Sequence, residues 1–125
     1  RRVLFRSERG TISAPVARMD ASVITREVNF ERGEAAVTHY ERLAVSNGYA
    51  LVELHLDTGR THQIRVHMKY IGCPLPGDFL YHPVFDRIGR QALHSFQLEF
   101  AHPITREPMC FLAPVPEDFR RAFLQ

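Results

Sequence analysis

The chain has no tryptophan, only two cysteines in 125 residues, and no apolar run near the ~20 residues that a membrane-spanning helix requires. Cys73 and Cys110 stand far apart and form no CxxC pair. That argues against a disulfide framework or a thiolate zinc site and makes a reducing cytoplasm the expected compartment. The first residues are charged and lack an apolar stretch, so no signal peptide is read there. There is no internal repeat, no low-complexity linker and no glycine-rich phosphate loop. A net charge of +2 is too small to identify a nucleic-acid binder by itself. The apolar fraction of 45% is that of a globular chain, and the length allows one domain at most.

The most telling absence is local. Residues 58–68, Thr-Gly-Arg-Thr-His-Gln-Ile-Arg-Val-His-Met, hold Arg60, His62, Gln63, Arg65 and His67 but no carboxylate. A solvated helix face alternates both signs, whereas donors without acceptors suit a polyanion or a carboxylate supplied from elsewhere. The spacing predicts a helix over about 61–71, with Thr58 or Thr61 as its N-cap and Gly59 giving a tight or left-handed turn. Ile64, Met68 and Ile71 then share the packing face, while His62, Arg65 and Lys69 share a neighbouring one. Arg65 can fork onto a carboxylate or phosphate, which Lys cannot. The plain alternative is surface pairing of Arg60 and Arg65 with acids.

Elsewhere the chain reads as strands and turns. Residues 26–34 suggest a short strand and a turn at Arg32-Gly33. Segments 35–45 and 49–57 alternate apolar and polar residues around Asn47-Gly48, a hairpin signal of type I′. Residues 72–90 form a long loop with Pro74, Pro76, Gly77, Pro83 and Gly89. Strands are expected over 91–100 and 108–112, and a helix start at Pro116-Glu117-Asp118. Hairpin-paired strands with few helices indicate an α+β fold with a mixed, largely antiparallel sheet.

Several segments carry a resemblance, in order, over about residues 10–118. They are Gly10-x-Ile12-x-x-Pro15-Val16-x-Arg18, Thr38-His39-Tyr40, residues 58–67, Gly72-x-Pro74-x-x-Gly77-Asp78-x-x-Tyr81, Gln91-Ala-Leu93-His-Ser95 and Phe100-Ala-His-Pro103. Together they resemble the RluA family of RNA pseudouridine synthases. That family's reactive aspartate lies in a His-Arg-Leu-Asp motif followed by Thr-Ser-Gly, and its base-stacking tyrosine in a Lys-x-Tyr context. Neither occurs in this sequence. Arg18-Met19-Asp20 only echoes the first.

The expectation is therefore that residues 8–125 form the C-terminal half of a pseudouridine synthase catalytic domain, inactive alone. Residues 1–7, Arg-Arg-Val-Leu-Phe-Arg-Ser, are what AGA CGT GTG CTC TTC CGA TCT encodes. That string matches a sequencing adapter, so those residues are read as an artefact and kept out of fold reasoning.

The resemblance implies isomerisation of uridine to pseudouridine in RNA, ribosomal RNA being the expected substrate, with no cofactor and no metal. Arg65 is implied to support the reactive aspartate. Arg60, His62 and Lys69 are candidate RNA contacts, and Leu93 a candidate wall of the base pocket. Residue chemistry alone gives Arg60 and His62 structural roles as readily, makes His67 a hydrogen-bonded structural group and Leu93 a plain core residue, and ties Asp78 to its own loop. The full-length protein is expected to be a monomer without membrane contact. A non-catalytic RNA-binding module using the same basic helix, or a phosphoester enzyme with its own acids, stays open from the residues.

Overall fold

The computed structural model describes residues 8–20, 24–46, 49–83, 88, 90–95, 97–101, 103–112, 116–118 and 121. The segment at 1–7 read as an adapter artefact lies outside the described residues. Among the described residues the elements run in the order β1 (Arg9–Ser13), β2 (Val16–Arg18), β3 (Arg26–Val28), β4 (Val37–Ser46), β5 (Tyr49–Leu56), α1 (Gln63–Tyr70), β6 (Gln97–Ala101) and β7 (Pro108–Leu112). The fold is α+β. It holds a three-stranded sheet β1-β4-β5 and two strand pairs, β2-β3 and β6-β7. Every described strand pairing is antiparallel, so the expected mixture of directions is absent among the described residues.

The alternation around Asn47-Gly48 produces the longest hairpin. Ser46 pairs with Tyr49, the register that a two-residue connection sets, although Asn47 and Gly48 themselves lie outside the described residues. A bulge between Arg42 and Ala44 shifts the register near this end. At the other end β1 lies on β4, pairing Gly10 with Tyr40 and Ile12 with Thr38. A Cβ on Gly10 would stand 2.6 Å from Tyr40 Oη, so only glycine lets the ring lie across β1.

Helix α1 covers one side of this sheet. Met68 is buried with Ile12 and Ala14, and Ile64, Ile71, Val52, Leu54 and Tyr40 pack around them. A second cluster joins Val66 to Val16, Ala36 and Tyr81. The packing face expected from the i, i+4, i+7 spacing is the one observed.

The helix ends differ from the expectation. No threonine side chain caps the start. His62 is the cap residue, in a left-handed conformation (φ 58°), without a side-chain capping bond. Gly59 is not among the residues with positive φ. The Gln63 side chain organises the entry instead: its Oε1 accepts from Arg60 N–H (3.0 Å) and the Thr58 hydroxyl (2.7 Å). At the far end Cys73 N–H reaches Met68 O (2.8 Å) and Gly72 N–H reaches Lys69 O (3.0 Å). Gly72 (φ 87°) thus closes a Schellman motif.

Two further boundaries move. Residues 91–95 are not a strand; β6 begins only at Gln97. Arg90 Nη1 donates to the carbonyls of Gln91 and Leu93 (3.3 and 3.4 Å), so a side chain takes up acceptors a ladder would use. Within the long loop, Asp78 and His82 form an isolated bridge. Among the described residues no helix is long and apolar enough to cross a membrane.

Candidate active site

The site forms where α1 meets the 77–82 turn. Arg65 projects from the middle of α1 and forks onto one carboxylate: Nε to Asp78 Oδ2 at 2.9 Å and Nη2 to Asp78 Oδ1 at 2.7 Å. Both partners are buried, Asp78 completely. Asp78 Oδ1 also accepts the backbone N–H of Leu80 (3.1 Å) and Tyr81 (3.3 Å). The one carboxylate thus fixes both the arginine and the turn that carries it. Gly77 makes that turn possible. Its φ is +71°, and a Cβ there would collide with the Arg90 carbonyl.

Charges follow from this geometry. The hydrogen bond from Arg65 to Asp78 raises the arginine's pKa, although burial opposes it. Burial acts to raise the Asp78 carboxyl, but the hydrogen bonds from Arg65 and from the Leu80 and Tyr81 N–H groups outweigh it. The net result lies below the usual aspartate value, and the pair is ionised. Nη1 of Arg65 has no partner among the described residues.

Aromatic rings surround the guanidinium. Its central carbon is 5.1 Å from the Tyr81 ring centre and 5.5 Å from that of Phe79. Lys69 Nζ lies 5.9 Å from the Tyr81 ring. Tyr81 Oη accepts the Arg26 N–H (2.8 Å) and meets His62 Nδ1 (2.9 Å). We assign the phenol proton to the histidine contact, which leaves the His62 proton on Nε2. Burial, then the charges of Arg65 and Arg26, lowers the His62 pKa and favours this neutral ring. Burial also pushes the Tyr81 phenol up.

The structure thus brings Arg65, His62 and Lys69 together around Tyr81. It takes Arg60 elsewhere: the guanidinium pairs with Glu34 (2.9 Å) and donates to the Ala35 carbonyl (2.9 Å), bracing the chain before β4. Leu93 is half-buried on a segment tied to the site's loop through Ala92 N–H to Pro76 O (2.9 Å). Asp20 is exposed and paired with Arg32 (3.2 Å), away from Arg65's partners.

His67 lies within a buried relay. Its Nε2 donates to Ala14 O (2.8 Å), and Nδ1 accepts the Thr38 hydroxyl (2.7 Å). Thr38 Oγ1 in turn accepts from Gln63 Nε2 (2.9 Å). These bonds lock α1 to β4 and to the residue after β1. Among the described residues no group of three or more His, Cys, Asp or Glu is placed to hold a metal ion.

Sequence reasoning missed Tyr81 as the hub and Asp78 as Arg65's partner. A signal existed: Asp78 and Tyr81 are three apart after a glycine, the spacing of a turn whose first side chain binds later N–H groups.

Comparison with known proteins adds the following. A family model described as RNA pseudouridylate synthase matches residues 2–70. The uncharacterized RNA pseudouridine synthase YjbO of Bacillus subtilis is 50% identical over 112 residues, covering 90% of this chain and 39% of that protein. Ribosomal large subunit pseudouridine synthase D of Haemophilus influenzae is 42% identical over 124 residues, covering 88% and 38%. The human RNA pseudouridylate synthase domain containing 4 superposes with a TM-score of 0.69 at 25% identity, over 92% of this chain and 55% of that one. The chain therefore spans about two fifths of the length of these curated relatives.

Proposed function

Because the chain belongs to the RluA family of RNA pseudouridine synthases, we propose that it supplies the arginine-bearing part of a site that isomerises uridine to pseudouridine in RNA. The observation that carries this reading is the buried Arg65 guanidinium, aimed by Asp78 and with no partner for Nη1 among the described residues. An aspartate brought in by polypeptide outside these 125 residues fills that role. An arginine beside a carboxylate favours its ionised form, and an ionised aspartate is what attack at the sugar or the base needs.

The reaction breaks the N1–C1′ bond, turns the uracil, and joins C5 to C1′. A proton leaves C5 and one is gained at N1, so atoms balance and nothing is oxidised or reduced. The chemistry itself calls for no redox cofactor. The target base must leave its stack first, which requires a pocket and a grip on the backbone. Lys69 and the Nε2–H of His62 are the proposed backbone contacts, and Leu93 the proposed pocket wall. Arg60 braces the turn; for it to reach a phosphate, its pair with Glu34 must open. Ribosomal RNA is the proposed substrate, a choice supported by relatives named for the large ribosomal subunit.

The test joins this chain to the remaining length of the Bacillus subtilis relative. The hybrid is expected to form pseudouridine in ribosomal RNA transcripts, and the present chain alone to form none. A folded hybrid that binds RNA but leaves every uridine unchanged would overturn the reading.

A further inference from the structure

We propose that the Phe79 ring is a stacking platform for an unpaired base of the RNA held beside Arg65. This rests on the RNA reading above and adds to it a residue that reads base faces rather than phosphates. Phe79 is 65% exposed, although its neighbour Asp78 is completely buried. Its backbone is held on both sides. Asp78 Oδ1 accepts the N–H groups of Leu80 and Tyr81, and His82 N–H returns to Asp78 O (2.8 Å). Tyr81, two residues on, is buried and anchored by Arg26 and His62. The ring therefore stands in solvent from a fixed turn, so ordering it on binding costs little side-chain entropy.

Its surroundings select the occupant. The Arg65 guanidinium lies 5.5 Å from the ring centre, and Lys69 stands over the adjoining Tyr81 ring. The acid of this cluster, Asp78, is already matched by Arg65. An apolar peptide would gain nothing from these cations. A nucleotide uses both features, stacking its base on the ring while its phosphate meets the ammonium. Phe30, also exposed at 68%, lacks this setting: the neighbouring Arg32 is paired with Asp20 and Glu27.

The chain contains no tryptophan, so Phe79→Trp creates a sole indole reporter. Titration with a single-stranded uridine-rich RNA of about ten nucleotides is expected to quench its emission saturably, at a length within the span one such surface binds. Phe30→Trp is expected to show no change. With labelled RNA and anisotropy, Phe79→Ala is expected to weaken binding about tenfold, the size of one base–aromatic stack, and Phe79→Tyr to restore it to within about twofold. RNA binding that is equal in Phe79→Ala and the parent, with Phe79→Trp emission unmoved, would overturn the stacking role and leave the RNA reading standing. Emission that follows protein concentration instead of RNA would also overturn it, by assigning the ring to a second copy. Failure of the parent chain to bind RNA at all would remove the RNA reading and the stacking role together.

Discussion

At the scale of single residues, the ion pair between Arg65 and Asp78 bears most on both stability and chemistry. Removing one member of a buried pair leaves an uncompensated charge, so Asp78→Asn is expected to destabilise the fold by roughly 3–5 kcal/mol in urea unfolding. A loss under about 1 kcal/mol, the value of an exposed pair, would contradict the buried geometry. The same pair has a pH signature. The Asp78 carboxyl is held below its ordinary value, so its stabilisation is complete above about pH 3.9 and is lost as pH falls through the lower folded value. Stability plotted against pH should therefore fall more gently on the acid side in Asp78→Asn, followed by circular dichroism. Equal acid slopes would rule out this carboxylate as a contributor. In the sequence Arg65 was visible as a donor in an acid-free run, and Asp78 as a turn residue. Their pairing was not, because they are joined through an irregular loop where no periodicity reports facing. The left-handed His62 was hidden for a related reason: the glycine three residues earlier looked the natural place for such a conformation, but the Tyr81 and Gln63 contacts fix the turn at the histidine.

Between elements, the Gln63–Thr38–His67–Ala14 relay joins α1 to the β1-β4-β5 sheet. Thr38→Val keeps the shape but removes the hydroxyl, leaving Gln63 Nε2 without one acceptor and His67 Nδ1 without its donor. A cost of about 1–3 kcal/mol is expected from chemical unfolding, as for an unsatisfied buried polar group. A neutral effect would mean that water or a rearranged glutamine replaces the bond. The strands of the 37–56 hairpin were legible because Tyr40, Ala50, Val52 and Leu54 are partly buried against the Met68 cluster, and alternation records it. The strand expected at 91–100 was displaced to Gln97–Ala101 because Arg90 takes up carbonyls of the preceding segment. That competition between side chain and ladder leaves no mark on hydropathy. The helix was legible in its packing face but not at its start, where a side-chain amide does the work expected of a threonine cap.

Over the whole molecule, apolar surface is left open. Leu43, Val45 and Leu56 are 53%, 48% and 44% exposed on the β4-β5 hairpin, and β5 has no outer neighbour in its sheet among the described residues. An edge with exposed apolar side chains recruits other chains. Light scattering of residues 8–125 is expected to rise with concentration and fall on dilution. A concentration-independent monomer with one sharp thermal transition would show these strands to be self-sufficient. The order of motifs along the chain was enough to indicate the family. How they converge was not, since Arg65, Tyr81 and Phe79 meet only through the fold.

The most direct test of the central claim uses the hybrid completed from the Bacillus subtilis relative, comparing the parent with Arg65→Lys. Lysine keeps the charge but loses the fork, so it cannot hold Asp78 and still offer a planar donor to the incoming aspartate. Pseudouridine formation is expected to fall by at least about a hundredfold, the scale of losing one oriented electrostatic contact in a reacting site, while RNA affinity stays within about threefold, because the positive charge remains. Near-parental turnover in Arg65→Lys would contradict the account and leave Arg65 a structural residue.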